Sequence, residues 1–116
     1  MPLYFAYGAN MDAGAMAARC PRSTLIGQGR LNRHRFIIMR EGYASVVRDP
    51  TSTVWGVLWD LALADVPALD RYEGVAALAG PELKSEVTLM EIETDAAPTP
   101  APAARVHVTE ATTPAD

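Results

Sequence analysis

The stretch of sequence that decides the fold is Val54-Trp55-Gly56-Val57-Leu58-Trp59-Asp60-Leu61. Its side chains alternate with a period of two, the spacing of a β-strand, and both alternating sets are largely apolar. A strand of this kind is covered on both faces, as in the middle of a barrel or in a sheet with a helix above it. Its two tryptophans, and Tyr4 and Phe5 of an earlier β-prone run, suit the lining of a pocket, but a core needs the same alternation, and we assign most of them to the core.

A helix is predicted directly after this strand, over residues 63–72. Leu63, Val66 and Leu69 fall at positions i, i+3 and i+6, which gives one apolar stripe on a helix. Pro67 is compatible with the helix when it lies in the first turn, where no backbone N–H is needed. The pattern therefore couples a short helix to the buried strand before it.

The rest of the chain is predicted to be rich in strands, with one further helix. Asp12 offers an N-cap for a helix over residues 13–19. A Pro-Ala tract at about residues 96–104 predicts an exposed extended loop, and residues 110–116 a loose tail. Runs of β-prone residues between glycines and prolines predict strands at residues 3–7, 24–31, 35–40, 44–48, 82–93 and 105–109.

Length, composition and charge exclude several classes of protein. The 116 residues suit one domain, with 49 % hydrophobic and 21 % charged residues, as in ordinary folded proteins. A net charge of −4 argues against a nucleic-acid binder. Neither a signal peptide nor an apolar run long enough for a membrane helix is present. We expect one cytoplasmic domain over residues 1–116, with no nucleic-acid or membrane partner.

The first candidate site is the turn Tyr7-Gly8-Ala9-Asn10, which follows the first predicted strand. A glycine-containing turn between a strand and a helix leaves several backbone N–H groups pointing into one concavity, where they bind carboxylates or oxyanions. Gly8 permits a ligand to approach the backbone closely. An ordinary turn without a ligand is the alternative, and from these residues alone it is the commoner case.

The second candidate is Glu73, at the end of the helix predicted at residues 63–72. Tyr72 and the nearby Trp55 and Trp59 are expected to bring aromatic surface against its carboxylate. Such surface disfavours the charged form of a carboxylate, as does the negative end of a helix, and this suits proton transfer. A solvent-exposed glutamate in the last helical turn is the alternative.

Other reactive side chains are weaker candidates. His34 lies between two arginines and is predicted to be exposed at a strand edge. His107 has no acidic or cysteine partner at metal-ligand spacing, so we predict no metal site. Cys20 is the only cysteine, which excludes an intrachain disulfide, and we expect a small buried side chain there.

Three motifs stand in the order and spacing of one known family. They are Leu3-Tyr4-Phe5-Ala6-Tyr7-Gly8-Ala9-Asn10-Met11, the strand at residues 54–61, and Leu69-Asp70-Arg71-Tyr72-Glu73-Gly74-Val75. Over roughly residues 3–75 the chain thereby resembles the γ-glutamylcyclotransferase-like family, also called AIG2-like. That family carries a Tyr-Gly-Ser-Asn turn, a Val-x-Gly-x-x-Tyr/Trp strand and a Leu-Asp-x-x-Glu-Gly segment.

The resemblance implies an α+β fold, namely a small mixed, mostly antiparallel β-barrel with short helices packed outside and a cavity at one end. It implies that backbone amides of Tyr7, Gly8, Ala9 and Asn10 hold a γ-glutamyl group, and that Glu73 is the acid/base. The reaction implied is intramolecular. The α-amine of the substrate attacks its own γ-carbonyl carbon and releases 5-oxoproline and an amine or amino acid, with no metal or organic cofactor.

Departures from the family pattern leave two alternatives open. Ala9 stands where the family usually has Ser, residues 75–83 lack the usual Tyr, and the chain ends soon after its last predicted strand. These departures favour a catalytically inactive binding module for a small ligand, whereas the retained Glu73 favours an enzyme. A related γ-glutamyl acyl or amide transferase or hydrolase, which uses an external amine or water, is the second alternative.

Overall fold

The computed structural model describes residues 2–40, 42–73, 85–96 and 103–109. Within these residues, two helices accompany one sheet, and each helix follows a short 3-10 turn. The helices are α1 (Ala13–Arg19), after the turn Ala9–Met11, and α2 (Val66–Glu73), after the turn Leu63–Asp65. The strands are β1 (Leu3–Ala6), β2 (Thr24–Ile38), β3 (Ala44–Asp60), β4 (Ser85–Glu91) and β5 (Ala103–Thr109).

The sheet has the strand order β2-β3-β1-β5-β4. All neighbouring strands are antiparallel except β1 and β5, which are parallel. This confirms a mixed α+β fold with a mostly antiparallel sheet. The expectation of a barrel is wrong in one respect, because the sheet is not closed by a ladder of hydrogen bonds between its outer strands, β2 and β4. Among the described residues, backbone pairing between the β2 edge and the segment after β4 is limited to an isolated bridge, where Arg30 and Glu93 exchange two backbone hydrogen bonds of 2.9 and 3.0 Å.

The two longest strands each join two segments that the sequence predicts as separate strands. The register of the β2–β3 pair jumps between Asn32–Thr53 and His34–Arg48, so residues 49–52 have no partner on β2. Pro50 lies in this unpaired part, where its missing N–H breaks no ladder hydrogen bond. On β2, Arg33 is the unpaired residue of the bulge and has a positive φ of 62°. The predicted breaks are therefore bulges inside continuous strands.

The first helix, α1, forms over the predicted residues, whereas α2 begins at Val66, three residues later than predicted, since Leu63–Asp65 form a 3-10 turn in which Leu63 is 68 % exposed. Asp12 caps α1, since its Oδ2 accepts a hydrogen bond of 2.8 Å from the backbone N–H of Ala15. Pro67 lies in the first turn of α2, as expected. None of the described helices is long and apolar enough to cross a membrane. The predicted helix stop at Gly74, most of the Pro-Ala tract and the tail at residues 110–116 lie outside the described residues.

The core lies on both faces of the central strands. On one face, Phe5 and Leu58 pack with Val106 of β5, and on the other, Tyr4 and Trp59 pack with Leu69 of α2. The C-terminal part of the strand predicted at residues 54–61 is thus covered on both sides. The prediction is wrong for Trp55, which is 52 % exposed, because the helix-side cluster covers only the end of β3. Its ring lies 5.5 Å from the Arg30 guanidinium carbon instead.

Candidate active site

A cavity of about 420 Å³ brings the two candidate sites together. Its wall includes all four residues of the turn at residues 7–10 and Glu73 of α2. Asn10 and Glu73 are 63 residues apart in the chain, yet their side chains are in hydrogen-bond contact. The wall also includes Tyr4 of β1, His107 of β5 and Tyr72, which lies beside Glu73 on α2.

The carboxylate of Glu73 is held at one of its two oxygens. Oε1 accepts a hydrogen bond of 3.0 Å from the Tyr4 hydroxyl and one of 2.9 Å from Asn10 Nδ2. Oε2 accepts none from any residue that the structure describes. Glu73 is half-buried and lies on the cavity wall. The carboxylate is therefore fixed in position while one oxygen stays available to a ligand.

The environment of Glu73 differs from the aromatic surface that the sequence predicts. A hydroxyl and an amide meet its carboxylate, and Trp55 lies against Arg30. Trp59 contributes through Asn10, whose backbone oxygen accepts a hydrogen bond of 3.1 Å from Trp59 Nε1. The aromatic residue that binds Glu73 directly is Tyr4, which is also a core residue, as predicted, with 3 % of its surface exposed.

Asn10 is the hub of this hydrogen-bond network. It is 2 % exposed, and its Nδ2 donates to Glu73 Oε1 and, at 3.1 Å, to the Tyr4 hydroxyl. Its Oδ1 accepts a hydrogen bond from Arg19 Nη1. The sequence assigns Asn10 a backbone contact with a ligand, but does not reveal that its side chain binds the carboxylate 63 residues away.

The turn at residues 7–10 leaves backbone donors unused. The N–H groups of Gly8, Ala9 and Asn10 donate no hydrogen bond to another described residue. This is expected at the start of the 3-10 turn Ala9–Met11, where the first N–H groups have no partner within the helical turn. A Cβ added at Gly8 would meet no protein atom within 4 Å. Three residues of the cavity wall therefore have backbone donors without a partner among the described residues.

Two tyrosines and a histidine complete the polar wall as neutral groups. Burial, followed by the charge of Glu73, raises the pKa of both Tyr4 and Tyr7, so both hydroxyls keep their protons. Tyr7 donates a hydrogen bond of 2.7 Å to the backbone oxygen of His107 and so ties the turn to β5. Burial lowers the pKa of His107, and the charges of Glu73 and Asp70 partly offset that effect.

His107 has an acidic partner that sequence spacing does not reveal. Its Nε2 lies 3.3 Å from Asp70 Oδ1, and Arg105 Nη2 lies 2.8 Å from the same oxygen. Asp70 belongs to α2 and is 37 residues away from His107 in the chain. In the part of the chain that the structure describes, no three His, Cys, Asp or Glu side chains form a group that could hold a metal ion.

The remaining candidates lie outside the cavity wall. Cys20 is buried, as predicted, with its Sγ 4.0 Å from the backbone oxygen of Asp65. His34 is half-buried on β2, somewhat less exposed than predicted, with Nδ1 3.0 Å from the Asn32 oxygen. Residues 75–83, where the family tyrosine is missing, lie outside the described residues.

Comparison with protein families finds one match that covers nearly the whole chain. A family model described as gamma-glutamyl cyclotransferase, AIG2-like, matches residues 4–113. The gamma-glutamylcyclotransferase of Bos taurus is 29 % identical over 97 residues, which are 75 % of this chain and 50 % of that protein. The Mus musculus protein of the same name is 31 % identical over 83 residues, 63 % of this chain and 44 % of that protein. The chain therefore spans about half the length of these relatives.

Solved structures share the fold. A structure named gamma-glutamyl cyclotransferase superposes with a TM-score of 0.77 and 21 % identity, over 98 % of this chain and 68 % of that one. An uncharacterized Homo sapiens protein superposes with a TM-score of 0.75 and 24 % identity, over 91 % and 64 % of the two chains. At these identities the superpositions establish the architecture alone.

Proposed function

Because the chain belongs to the gamma-glutamyl cyclotransferase, AIG2-like family, we propose that it is a γ-glutamyl cyclotransferase-type enzyme. Its substrate in this proposal is a small molecule with a γ-glutamyl group, and its products are 5-oxoproline and an amine or amino acid. The observation that carries the proposal is the position of the Glu73 carboxylate in one cavity with the free N–H donors of the turn at residues 7–10.

Glu73 is the acid/base in this proposal. Its Oε1 already accepts two hydrogen bonds, so Oε2 is the oxygen that takes a proton from the substrate's α-ammonium group. The α-amine then attacks the γ-carbonyl carbon of the same molecule, and the new C–N bond closes a five-membered ring. Because both reacting groups belong to one molecule, the cavity needs only to hold a folded conformer of it.

The turn at residues 7–10 holds the γ-glutamyl group and stabilises the charge that develops during the attack. The carbonyl oxygen becomes an oxyanion in the tetrahedral intermediate, and the N–H groups of Gly8, Ala9 and Asn10 are unused donors on the same wall. Glu73 then returns its proton to the leaving nitrogen, and the carboxylate so regenerated accepts the extra proton of the ring nitrogen, which passes to the departing amine. The bond from the γ-carbon to the leaving nitrogen breaks, which releases 5-oxoproline and the amine. No step changes an oxidation state.

The test is to identify the product by mass spectrometry. Purified protein is incubated with a panel of γ-glutamyl amines and γ-glutamyl dipeptides, with Glu73→Gln as the blank. We expect 5-oxoproline from the wild type alone, and the substrate that yields it names the leaving group. Free glutamate would instead establish a hydrolase, and a new γ-glutamyl amide a transferase. Thermal stabilisation by the panel without any product would establish a binding module.

A further inference from the structure

Arg19 touches the site from outside the cavity. It is the last residue of α1 and is not among the residues that line the cavity wall. Its Nη1 donates to Asn10 Oδ1, and its guanidinium carbon lies 3.5 Å from the centroid of the Tyr72 ring. It therefore contacts two residues of the wall, one of which binds Glu73 directly.

The chemistry of the guanidinium group dictates which end of the Asn10 amide faces it. A guanidinium only donates hydrogen bonds, so the amide oxygen must face Arg19 and the amide nitrogen must face away. The nitrogen is then directed at Glu73 Oε1 and at the Tyr4 hydroxyl. In the reversed orientation, the amide nitrogen would face the guanidinium of Arg19, donor against donor. The amide oxygen would face the carboxylate of Glu73, acceptor against acceptor.

The surroundings of Asn10 leave its amide few other options. The residue is buried, and the hydrogen bond from Trp59 Nε1 holds its backbone oxygen. A buried polar group is strongly destabilised when it loses a partner, so Arg19 adds to the preference for one amide orientation that Glu73 already imposes. Stacking on the Tyr72 ring keeps the guanidinium in place.

We propose that Arg19 is a positioning residue that orients the Asn10 amide and, through it, holds the Glu73 carboxylate with Oε1 bonded and Oε2 free. The proposal rests on the proposed role of Glu73 as the acid/base. Without Arg19 the amide oxygen loses its charged donor, the preference for the observed amide orientation weakens, and the Glu73 carboxylate is held less firmly. Because Arg19 does not line the cavity, the loss falls on kcat and leaves KM nearly unchanged.

The kinetic test is a series of variants at position 19. We expect Arg19→Met to lower kcat about 10- to 100-fold, the effect of losing a hydrogen bond within a charged network. Arg19→Lys should restore most of the loss, since an ammonium group also only donates. Arg22→Met is the matched control, because Arg22 is exposed and its side chain joins no hydrogen bond or ion pair of the described residues. Wild-type kcat in Arg19→Met, or equal losses in the Lys and Met variants, would overturn the proposal.

A second measurement does not depend on turnover. In NMR spectra of ¹⁵N-labelled protein, the Asn10 side-chain NH₂ signal is assigned by its disappearance in Asn10→Asp. We expect slow hydrogen exchange of this NH₂ group in the wild type and in Arg19→Lys, and fast exchange in Arg19→Met. Should Arg19→Met not fold, Arg19→Gln replaces it, because a glutamine can donate or accept and so imposes neither orientation.

The two measurements separate this proposal from the proposed function. If the wild type releases no 5-oxoproline, the proposed function is refuted. The orienting role of Arg19 is still supported if hydrogen exchange of the Asn10 NH₂ group is slow only when residue 19 is a donor. Exchange of the Asn10 NH₂ group at one rate in all variants refutes the orienting role, whether or not the protein is an enzyme.

Discussion

The two parts of the cavity wall, the fixed wall around Glu73 and the open wall at the turn of residues 7–10, use their hydrogen-bond donors in opposite ways. On the fixed wall, Tyr4 and the Asn10 side chain donate to Glu73, and Arg19 donates to Asn10 from outside the cavity. On the other, the backbone N–H groups of Gly8 and Ala9 find no partner among the described residues. The first arrangement fixes the Glu73 carboxylate in position, and the second leaves backbone donors without a partner in the described part of the chain. A site that converts a small molecule needs both.

The largest expected effect comes from removing the reactive group of the fixed wall. Glu73→Gln keeps the side chain's size but cannot take a proton, so turnover should fall by about 10²- to 10⁴-fold or more. Substrate affinity and melting temperature should change little, because Glu73 is only half-buried. Steady-state kinetics measures turnover and substrate affinity, and thermal melting measures the melting temperature.

Glu91→Gln is the matched control for that variant. Glu91 is an exposed glutamate on β4 that does not line the cavity, so the same substitution there should leave turnover unchanged. A large fall in melting temperature for Glu73→Gln with normal turnover would mean that Glu73 is structural.

The next largest effect is expected at the hub of the fixed wall. Asn10→Asp keeps the acceptor for Arg19 but cannot donate to Glu73, and it places two carboxylates in contact. We expect the free energy of unfolding to fall by about 1–3 kcal/mol and turnover to fall with it. Urea denaturation measures the first change. Unaltered stability would show that the hydrogen bonds of Asn10 carry little weight.

A smaller effect, confined to binding, is expected at the open wall. Gly8→Val adds a side chain where no protein atom lies within 4 Å of the Cβ, and Gly8 lines the cavity. The side chain therefore competes with the ligand for space. We expect weaker substrate binding by Gly8→Val, measured as a higher KM. Calorimetry measures the same loss when Glu73→Gln is added to the variant to prevent turnover. Normal affinity in this variant would argue against the turn as the substrate cradle.

The smallest effect is a dependence of stability on pH through His107. Burial lowers its pKa below the unfolded value of 6.5, so near and below pH 6.5 the unfolded chain binds more protons than the folded one. The resulting contribution to stability is present above pH 6.5 and is lost as the pH falls through the lowered pKa. Melting temperatures from pH 8 to pH 5 should fall more steeply for the wild type than for His107→Gln. Parallel curves would contradict this expectation.

The sequence predicts the features that depend on neighbours in the chain. The cap of α1 by Asp12 needs only the residues that follow it, and the 3.6-residue period of α2 lies within eight residues. The alternation at residues 54–61 likewise predicts a strand covered on both faces, and the structure has this cover over the C-terminal part of the strand. The family resemblance carried by the three motifs points to the turn at residues 7–10 and to Glu73, which line one cavity.

Features that depend on contacts between distant residues were not predictable. The roles of Tyr4 and Arg19 arise because β1 and the end of α1 both meet Asn10, and no local pattern encodes that meeting. His107 acquires its acidic partner only because β5 lies next to Asp70 of α2. Whether the sheet closes depends on the pairing of its edge strands, and the exposure of Trp55 depends on how much of the sheet the helices cover.

The most direct test of this division of the cavity wall is to see one ligand contact both parts. Chemical shifts of ¹⁵N-labelled Glu73→Gln are followed while an uncleaved γ-glutamyl substrate from the panel is added. Our account predicts that the largest changes fall on the backbone amides of Gly8, Ala9 and Asn10 and on the side-chain amide introduced at position 73. Saturable changes confined to residues away from the cavity, or no changes at any concentration of the panel, would contradict it.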